Sequence, residues 1–120
     1  MSKRVEKPWG RYDQYAPNVR VLGIGPGHAT SLQSHRKRRE VWVALEEGLN
    51  IQIGRRMHTS VIGREYNIPK RTKHRLMNHT CRYGRVLEVS FGDFDEDDIE
   101  RYEDQYGRPC MPGLDKKTRY

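Results

Sequence analysis

The segment SLQSHRKRREVWVAL, residues 31–45, places a polar strand-like run and an apolar strand-like run on either side of a basic turn. Alternate residues of a strand project to the same face, so Gln33 and His35 point in one direction. The four residues 36–39 separate this pair from Glu40 and can form the turn to a neighbouring strand. Glu40 would then return towards Gln33 and His35. The segment therefore predicts two adjacent strands that share a polar site.

Comparable runs occur along the rest of the chain, and they predict an all-β domain. VRVLGI, EVWVAL, LNIQI and RVLEVSF are short and rich in β-branched residues, as expected for strands. They recur every ~8–12 residues, the spacing typical of a sandwich or barrel. We predict strands at 11–15, 19–24, 30–35, 40–45, 49–53, 57–62, 65–68, 73–78 and 83–91, with turns at 25–27, 46–48, 54–56 and around Pro69.

One short helix is predicted near the carboxyl end. Asp95 is suited to cap it, and the acidic residues that follow suit the positive end of a helix dipole. The apolar groups at positions 99, 102 and 106 would form one face, and Gly107 and Pro109 would end the helix. Residues 109–120 are expected to form an extended tail.

The charge distribution indicates a basic surface. The chain has 120 residues, which fits one domain, with 23 Lys and Arg against 16 Asp and Glu. Eight of the acidic residues lie between Asp93 and Asp104, so the rest of the chain is more basic than the net charge of +7 implies. Such a surface attracts anions, including phosphates, nucleic acid and acidic membranes. A solvated surface that maintains solubility is the alternative.

Two cysteines, Cys81 and Cys110, fit no metal or redox spacing, and we expect free thiols in a reducing compartment. No apolar run approaches the ~20 residues that span a bilayer, and the first ten residues lack the apolar stretch of a secretory signal. These features predict a cytoplasmic protein without membrane association.

Four side chains form a candidate metal site: Gln33, His35, Glu40 and His74. His74 lies on a later strand and joins the others if the sheet closes into a barrel. Two imidazoles, a carboxylate and an amide oxygen suit Zn, Mn, Fe, Co or Ni and leave positions open for a substrate. Each residue also has a structural alternative, such as an ion pair between Glu40 and Arg38 or Arg39.

Two spacings in the chain resemble the conserved motifs of cupins. The first cupin motif is resembled by the series Gly27, Gln33, His35 and Glu40, in which Gln33 takes the place of the first His of the motif. The second resembles the series Gly63, Pro69, His74 and Asn78. This resemblance implies a single cupin (jelly-roll) barrel over residues 1–108 followed by a tail at 109–120.

Within the cupins, the chain is similar to the isomerase domain of type II mannose-6-phosphate isomerases. In bacteria this domain usually follows a mannose-1-phosphate guanylyltransferase domain. The matching segments keep the family order from residue 7 to 108: KPWGRYD (7–13), GPG (25–27), SLQSH (31–35), RREVWV (38–43), IP (68–69), TKHRLMN (72–78) and EDDIERYEDQYGR (96–108). The Gly-rich nucleotide loop of the guanylyltransferase domain is absent from this sequence, so we expect no GDP-mannose synthesis.

The resemblance implies that Gln33, His35, Glu40 and His74 bind one divalent metal ion. Isomerisation of mannose 6-phosphate to fructose 6-phosphate would then need a Lewis acid, a base and a phosphate anchor. The metal would supply the first. Arg38 matches a family arginine linked to isomerase activity, and Arg20 replaces a family lysine that points into the barrel. These two arginines would bind the substrate, together with Arg71 or Lys73. Lys73, Glu65 and a water on the metal are the candidate bases.

Departures from the family pattern keep other functions open. The family segment HHHRAEHW is HRKRREVW here, the turn glycine of the second motif is Arg71, and Ser90 replaces a Gln. Arg71 must avoid positive φ or accept strain. The alternatives are a non-catalytic cupin that binds a sugar or sugar phosphate, and another cupin enzyme such as a sugar-nucleotide epimerase or a metal oxidase.

Nucleic acid and a second copy of the chain are two further candidate partners. Nucleic-acid binding is disfavoured because no aromatic residues are interleaved with the basic runs at 36–39 and 70–75. A homodimer is suggested by analogy with other cupins, with KPWG at 7–10 and the predicted helix as contributors.

Overall fold

The computed structural model describes residues 2–106, and these form eleven β-strands without a helix. No helix able to cross a membrane therefore occurs in that part of the chain. The predicted tail at 109–120, with Cys110, lies outside the described residues. The strands are β1 (Lys3–Lys7), β2 (Gly10–Ala16), β3 (Val19–Ile24), β4 (Leu32–Ser34), β5 (Arg38–Ala44), β6 (Asn50–Ile53), β7 (Arg56–Thr59), β8 (Glu65–Ile68), β9 (His74–Met77), β10 (Gly84–Gly92) and β11 (Glu100–Glu103).

The strands form two antiparallel sheets, which confirms the all-β prediction. One sheet has six strands in the order β1-β2-β3-β10-β5-β8, and the other has five in the order β11-β4-β9-β6-β7. A buried apolar cluster joins the two sheets, with Trp42 and Val86 from the first and Ile51 and Leu76 from the second. The connection from β4 to β5 carries the chain from one sheet to the other. Gln33 and Glu40 therefore lie on different sheets that share one interior.

Nine of the strands coincide with predicted strands to within a few residues. The sequence analysis missed β1, whose segment KRVEK has four charged residues and a single apolar one, Val5. Its pairing explains its structure: Val5 lies opposite Tyr12 of β2, and Arg4 forms an ion pair with Asp13 across the two strands. Pairing with β2 thus produces a strand whose own composition is unfavourable for one.

The predicted helix after Asp95 was wrong. Asp95 does accept hydrogen bonds from the backbone N–H groups of residues 97 and 98, but only a turn follows. Residues 100–103 instead form β11, which pairs with β4. Tertiary contacts favour the extended form: the buried guanidinium of Arg75 donates to the Glu103 carboxylate at 3.1 Å, and Tyr102 and Ser34 share a hydroxyl hydrogen bond at 2.9 Å. These contacts outweigh the helical periodicity of the sequence.

The inner face of β5 and β10 changes from apolar to polar along its length. At one end Val86 lies opposite Ala44, and at the other Ser90 lies opposite Glu40. The inward residues of both strands are buried throughout, in alternation with exposed or half-buried ones. Because alternate residues share a face, the same pair of strands contributes to the core at one end and to a polar site at the other.

Arg71 adopts the left-handed backbone region, with φ of 62°, and within residues 2–106 it is the single non-glycine residue with positive φ. Its N–H donates to the carbonyl of His35 at 2.6 Å, which ties the loop before β9 to the end of β4. The sequence left open whether Arg71 avoids positive φ or accepts the strain, and the loop accepts the strain. An L-residue in this region costs about 1–2 kcal/mol.

We expect Arg71→Gly to raise the free energy of unfolding by about 1 kcal/mol, because glycine adopts this backbone conformation without a Cβ clash. Denaturant titration measures the change. Arg71→Ala is the matched control, since it removes the exposed side chain but keeps the Cβ, and it should change stability by less than about 0.5 kcal/mol. Equal effects of the two substitutions would contradict the backbone explanation.

Candidate functional site

Three of the predicted ligands converge in the interior between the sheets. One ligand atom from each of His35, Glu40 and His74 can be chosen so that all lie within 4.8 Å of one another. The three residues are 4%, 1% and 1% exposed. They come from the end of β4, from β5 and from the start of β9. A carboxylate and two imidazoles buried this closely form a donor set of the kind that transition metals bind.

Backbone carbonyls fix the orientation of both imidazoles. His35 Nδ1 lies 2.7 Å from the carbonyl oxygen of Asp98, and His74 Nδ1 lies 2.9 Å from that of Thr72. A carbonyl oxygen only accepts hydrogen bonds, so each Nδ1 carries the proton. The lone pair of each ring is then on Nε2, and this nitrogen is directed at the Glu40 carboxylate. The distance from Nε2 to the nearer Glu40 oxygen is 3.4 Å for His35 and 3.6 Å for His74. Histidine ligands of metals are held by outer partners in the same way.

The protonation states fit a metal site as well. Burial, followed by the nearby His74 and Arg38, lowers the pKa of His35 to about 3, so this ring is neutral at physiological pH. His74 Nε2 is buried without a hydrogen-bond partner among the described residues. A buried polar atom of this kind costs free energy unless it is satisfied, and a divalent cation would satisfy it. The residues present therefore fit the metal that the cupin resemblance implies.

Glu40 is held in place by two further side chains. Arg38 Nε donates to Glu40 Oε2 at 3.0 Å, and Trp42 Nε1 donates to Oε1 at 3.1 Å. The structural alternative raised for Glu40, an ion pair with Arg38, is thus present alongside the cluster. Arg38 Nη2 also lies 3.1 Å from His35 Nε2. A metal ion on that nitrogen would replace this last hydrogen bond.

Gln33, the fourth predicted ligand, is directly opposite His74 in the pairing of β4 with β9. Directly paired residues have their Cβ atoms ~4.5–5.5 Å apart on one face of a sheet. The Gln33 side chain is half-buried, accepts a long hydrogen bond from Ser31 at 3.4 Å, and lines the cavity beside the cluster. Its position is compatible with the role of a ligand, which stays a prediction.

A cavity of about 430 Å³ opens beside the cluster. This volume falls within the range of small-molecule sites. His35, Arg38 and Gln33 form part of its wall, together with aromatic residues and charged residues of both signs. The other lining residues are Lys7, Trp9, Tyr12, Arg20, Leu22, Thr30, Ser31, Trp42, Glu88, Phe94, Glu96, Asp97, Ile99 and Arg101.

Of the three arginines predicted to bind substrate, Arg20 and Arg38 reach this cavity. Arg20 donates to Glu88 Oε1 from Nε at 2.7 Å, and its Nη2 lies 2.6 Å from the same oxygen. Phe94 contacts both guanidinium groups: its ring centre lies 4.5 Å from Cζ of Arg38 and 5.4 Å from Cζ of Arg20. Arginines aligned in this way by aromatic and carboxylate groups are suited to bind a planar or phosphorylated anion.

Lys73 and Arg71 do not line the cavity, although both were predicted to act on the substrate. Both are exposed, and the Lys73 ammonium lies 4.3 Å from the ring centre of Tyr102. Glu65, another candidate base, is exposed on the edge strand β8. The side chains of these three residues are therefore exposed and do not line the cavity, whereas those of Arg20 and Arg38 do.

Sequence reasoning missed two parts of the site. Glu88 is buried in the wall of the cavity, and the one available signal was a lone acidic residue at an inward position of the apolar strand RVLEVSF. The acidic segment that begins at Asp95 was interpreted as a helix start. Its Asp98 instead accepts hydrogen bonds from the N–H groups of Arg36 and Lys37 through its carboxylate and binds His35 through its carbonyl. No local pattern reveals those long-range contacts.

The chain is similar in sequence to known proteins. The chain is 33% identical to alginate biosynthesis protein AlgA of Pseudomonas putida over 122 residues, and 34% identical to a mannose-1-phosphate guanylyltransferase of Escherichia coli over 111 residues. The matches cover 95% and 88% of the chain but 25% and 24% of those proteins, so the chain spans about a quarter of their length.

A solved structure confirms the fold class. A cupin-2 domain protein of Rhodospirillum rubrum superimposes with a TM-score of 0.68 at 15% identity, over 81% of this chain and 78% of that one. The family described as mannose-6-phosphate isomerase C-terminal matches residues 1–104. With a cupin fold and a match over most of its length, this chain belongs to the mannose-6-phosphate isomerase C-terminal family.

Proposed function

We propose that this protein is a metal-dependent sugar-phosphate isomerase that interconverts mannose 6-phosphate and fructose 6-phosphate. One observation carries the proposal: His35, Glu40 and His74 converge beside a cavity that is also lined by Arg20 and Arg38. The site thus combines a set of metal ligands with cationic groups for an anionic substrate. Membership of the mannose-6-phosphate isomerase C-terminal family supports the choice of sugar.

The proposed metal ligands are His35, Glu40, His74 and Gln33, and the donor set suits Zn, Mn, Fe, Co or Ni. A divalent ion here would act as a Lewis acid towards the substrate oxygens. The protein contributes the rigidity of the site. Both imidazoles are oriented by carbonyls, and both carboxylate oxygens of Glu40 accept hydrogen bonds, so little reorganisation is needed when a ligand binds.

Arg38 has the central role in binding the sugar phosphate. Its guanidinium contacts Glu40, His35 and the carbonyl of Asp95, and it lies against the Phe94 ring. A group held so firmly positions a substrate oxygen next to the ligand cluster. Arg20, whose guanidinium also lies near the Phe94 ring, adds a second cation for the phosphate. Arg71 and Lys73, exposed outside the cavity, would serve to attract the anion from solvent.

A non-catalytic sugar-phosphate-binding cupin is the second candidate. The contact of Arg38 Nη2 with His35 Nε2 favours it, because the arginine takes the lone pair that a metal needs. In that case the cavity would bind the anion through its arginines alone. The two candidates differ in whether the protein needs a metal and whether the substrate is turned over.

The relatives support a proposal for the biological setting. Alginate and xanthan biosynthesis proteins are among them, and we place this chain in the supply of mannose-derived precursors for polysaccharides, in the cytoplasm. A homodimer of the domain is proposed by analogy with other cupins.

We expect His74→Ala to lose the bound metal while the fold persists. Removing a ligand should lower metal affinity by more than the ~10–100-fold typical of mutating a residue that only hydrogen-bonds to a ligand. Elemental analysis of purified protein and calorimetric titration with Zn and Mn measure the effect, and circular dichroism checks the fold. His79→Ala, an exposed histidine on the loop after β9, is the control and should bind metal normally. Unchanged metal content in His74→Ala would refute the ligand assignment.

The purified protein should convert mannose 6-phosphate to fructose 6-phosphate in a coupled assay. Treatment with a chelator should abolish turnover, and addition of a divalent ion should restore it, because the metal supplies the Lewis acid. Sugar-phosphate binding without turnover under every metal tested would favour the binding-protein candidate instead.

Arg38→Ala should weaken sugar-phosphate binding by roughly 10–100-fold, the loss expected for a hydrogen bond to a charged group worth about 1.5–3 kcal/mol. Calorimetry with mannose 6-phosphate measures the dissociation constant. Arg39→Ala is the matched control, because the neighbouring Arg39 is exposed and stacks on Phe91. The same affinity in both variants would remove Arg38 from the site.

A further inference from the structure

We propose that Glu88 is the general base of this site, the group that carries the proton between the two carbons of the sugar phosphate. The inference rests on the proposed isomerase function and assigns the one catalytic part that sequence reasoning left open.

Glu88 lies where a base is needed. In the register of β10 it is opposite Arg20 of β3 on one side and Trp42 of β5 on the other. Paired residues share a face of the sheet, so Glu88 points into the same interior as these two. It is 3% exposed and forms part of the cavity wall. Glu40 is two residues from Trp42 along β5, hence on the same face.

The two oxygens of the Glu88 carboxylate have different surroundings. Both contacts with Arg20, from Nε and from Nη2, are made by Oε1. Oε2 receives no hydrogen bond from any residue within 2–106. Arg20 therefore fixes the orientation of the carboxylate through one oxygen and leaves the other able to accept a proton. A general base held by an orienting partner is the usual arrangement in acid–base catalysis.

The electrostatic environment supports the same role. Burial raises the pKa of Glu88, and the charge of Arg20 opposes this only in part. A carboxylate with a raised pKa is a stronger base towards a carbon acid than an exposed one.

Other groups near the cavity are less suited. His35, His74 and Glu40 are the proposed metal ligands, and both oxygens of Glu40 already accept hydrogen bonds. Glu96 and Asp97 line the cavity but are exposed to solvent. The arginines remain protonated and cannot accept a proton.

The proposed step is balanced within the substrate and Glu88. Oε2 removes the proton from C2 of the open-chain aldose, the C–H electron pair forms the C1–C2 double bond, and the carbonyl electron pair moves to O1. A proton passes from O2 to O1. Glu88 then returns its proton to C1 while the carbonyl forms at C2. No oxidant or further reactant is consumed.

The test compares wild type with Glu88→Gln, which keeps the size of the side chain and an oxygen for Arg20. We expect kcat to fall by at least ~100-fold, the lower range for loss of a general base. The dissociation constant for mannose 6-phosphate and the metal content should stay within about threefold of wild type. Proton NMR in D₂O should show that the C2 proton is retained. Glu47→Gln, an exposed glutamate on the loop between β5 and β6, should behave as wild type.

The possible results separate this inference from the proposed function. A wild type that binds but does not turn over mannose 6-phosphate overturns both. An active wild type with Glu88→Gln within tenfold of its kcat overturns only the assignment of the base, as does a variant that loses metal or sugar-phosphate affinity instead. Should Glu88→Gln fail to fold, Glu88→Asp decides: it retains the charge but withdraws the carboxylate from the substrate, and wild-type kcat in that variant overturns the assignment.

Discussion

Two backbone carbonyls, those of Thr72 and Asp98, impose the chemistry of this site. Each takes the proton-bearing nitrogen of one buried histidine, so that both rings present a lone pair to the same carboxylate. The carbonyl of Asp98 is itself positioned by its own side chain, which binds the N–H groups of Arg36 and Lys37. The strained Arg71 performs a related task, because its N–H holds the carbonyl of His35. Irregular segments on both sides of β4 thus orient the side chains that the strands bring together.

How far the sequence predicts this arrangement depends on the range of the interactions. The strand alternation at Gln33 and His35 and the following Glu40 could be interpreted from local pattern alone, and most strands were located in the same way. His74 could be added only on the condition that the sheet closes into a barrel, and the family resemblance implied the same four residues. The segment after Asp95 could not be predicted, because an acidic start and an apolar period of three to four residues favour a helix locally. Its structure is set by Arg75 and Ser34, which are distant in sequence.

Glu88 shows a second limit. A single acidic residue in an apolar strand has no distinctive spacing, and its importance depends on the two strands that flank it. Arg20 lies on one of these and Trp42 on the other. The family resemblance implied that Arg20 points into the barrel, but its carboxylate partner is 68 residues away. Charge pairs across a sheet of this kind become visible only when the strand order is known.

The change in polarity along β5 and β10 separates two kinds of selective constraint. At the end with Ala44 and Val86, side chains are fully buried, and a change in volume there alters the stability of the whole domain. At the end with Glu40 and Ser90, under the proposed function, the residues would instead determine which ions and sugars can bind. A descendant of this protein could therefore exchange one set of polar groups for another and acquire a new ligand, while the apolar half of the same strands continued to hold the barrel closed.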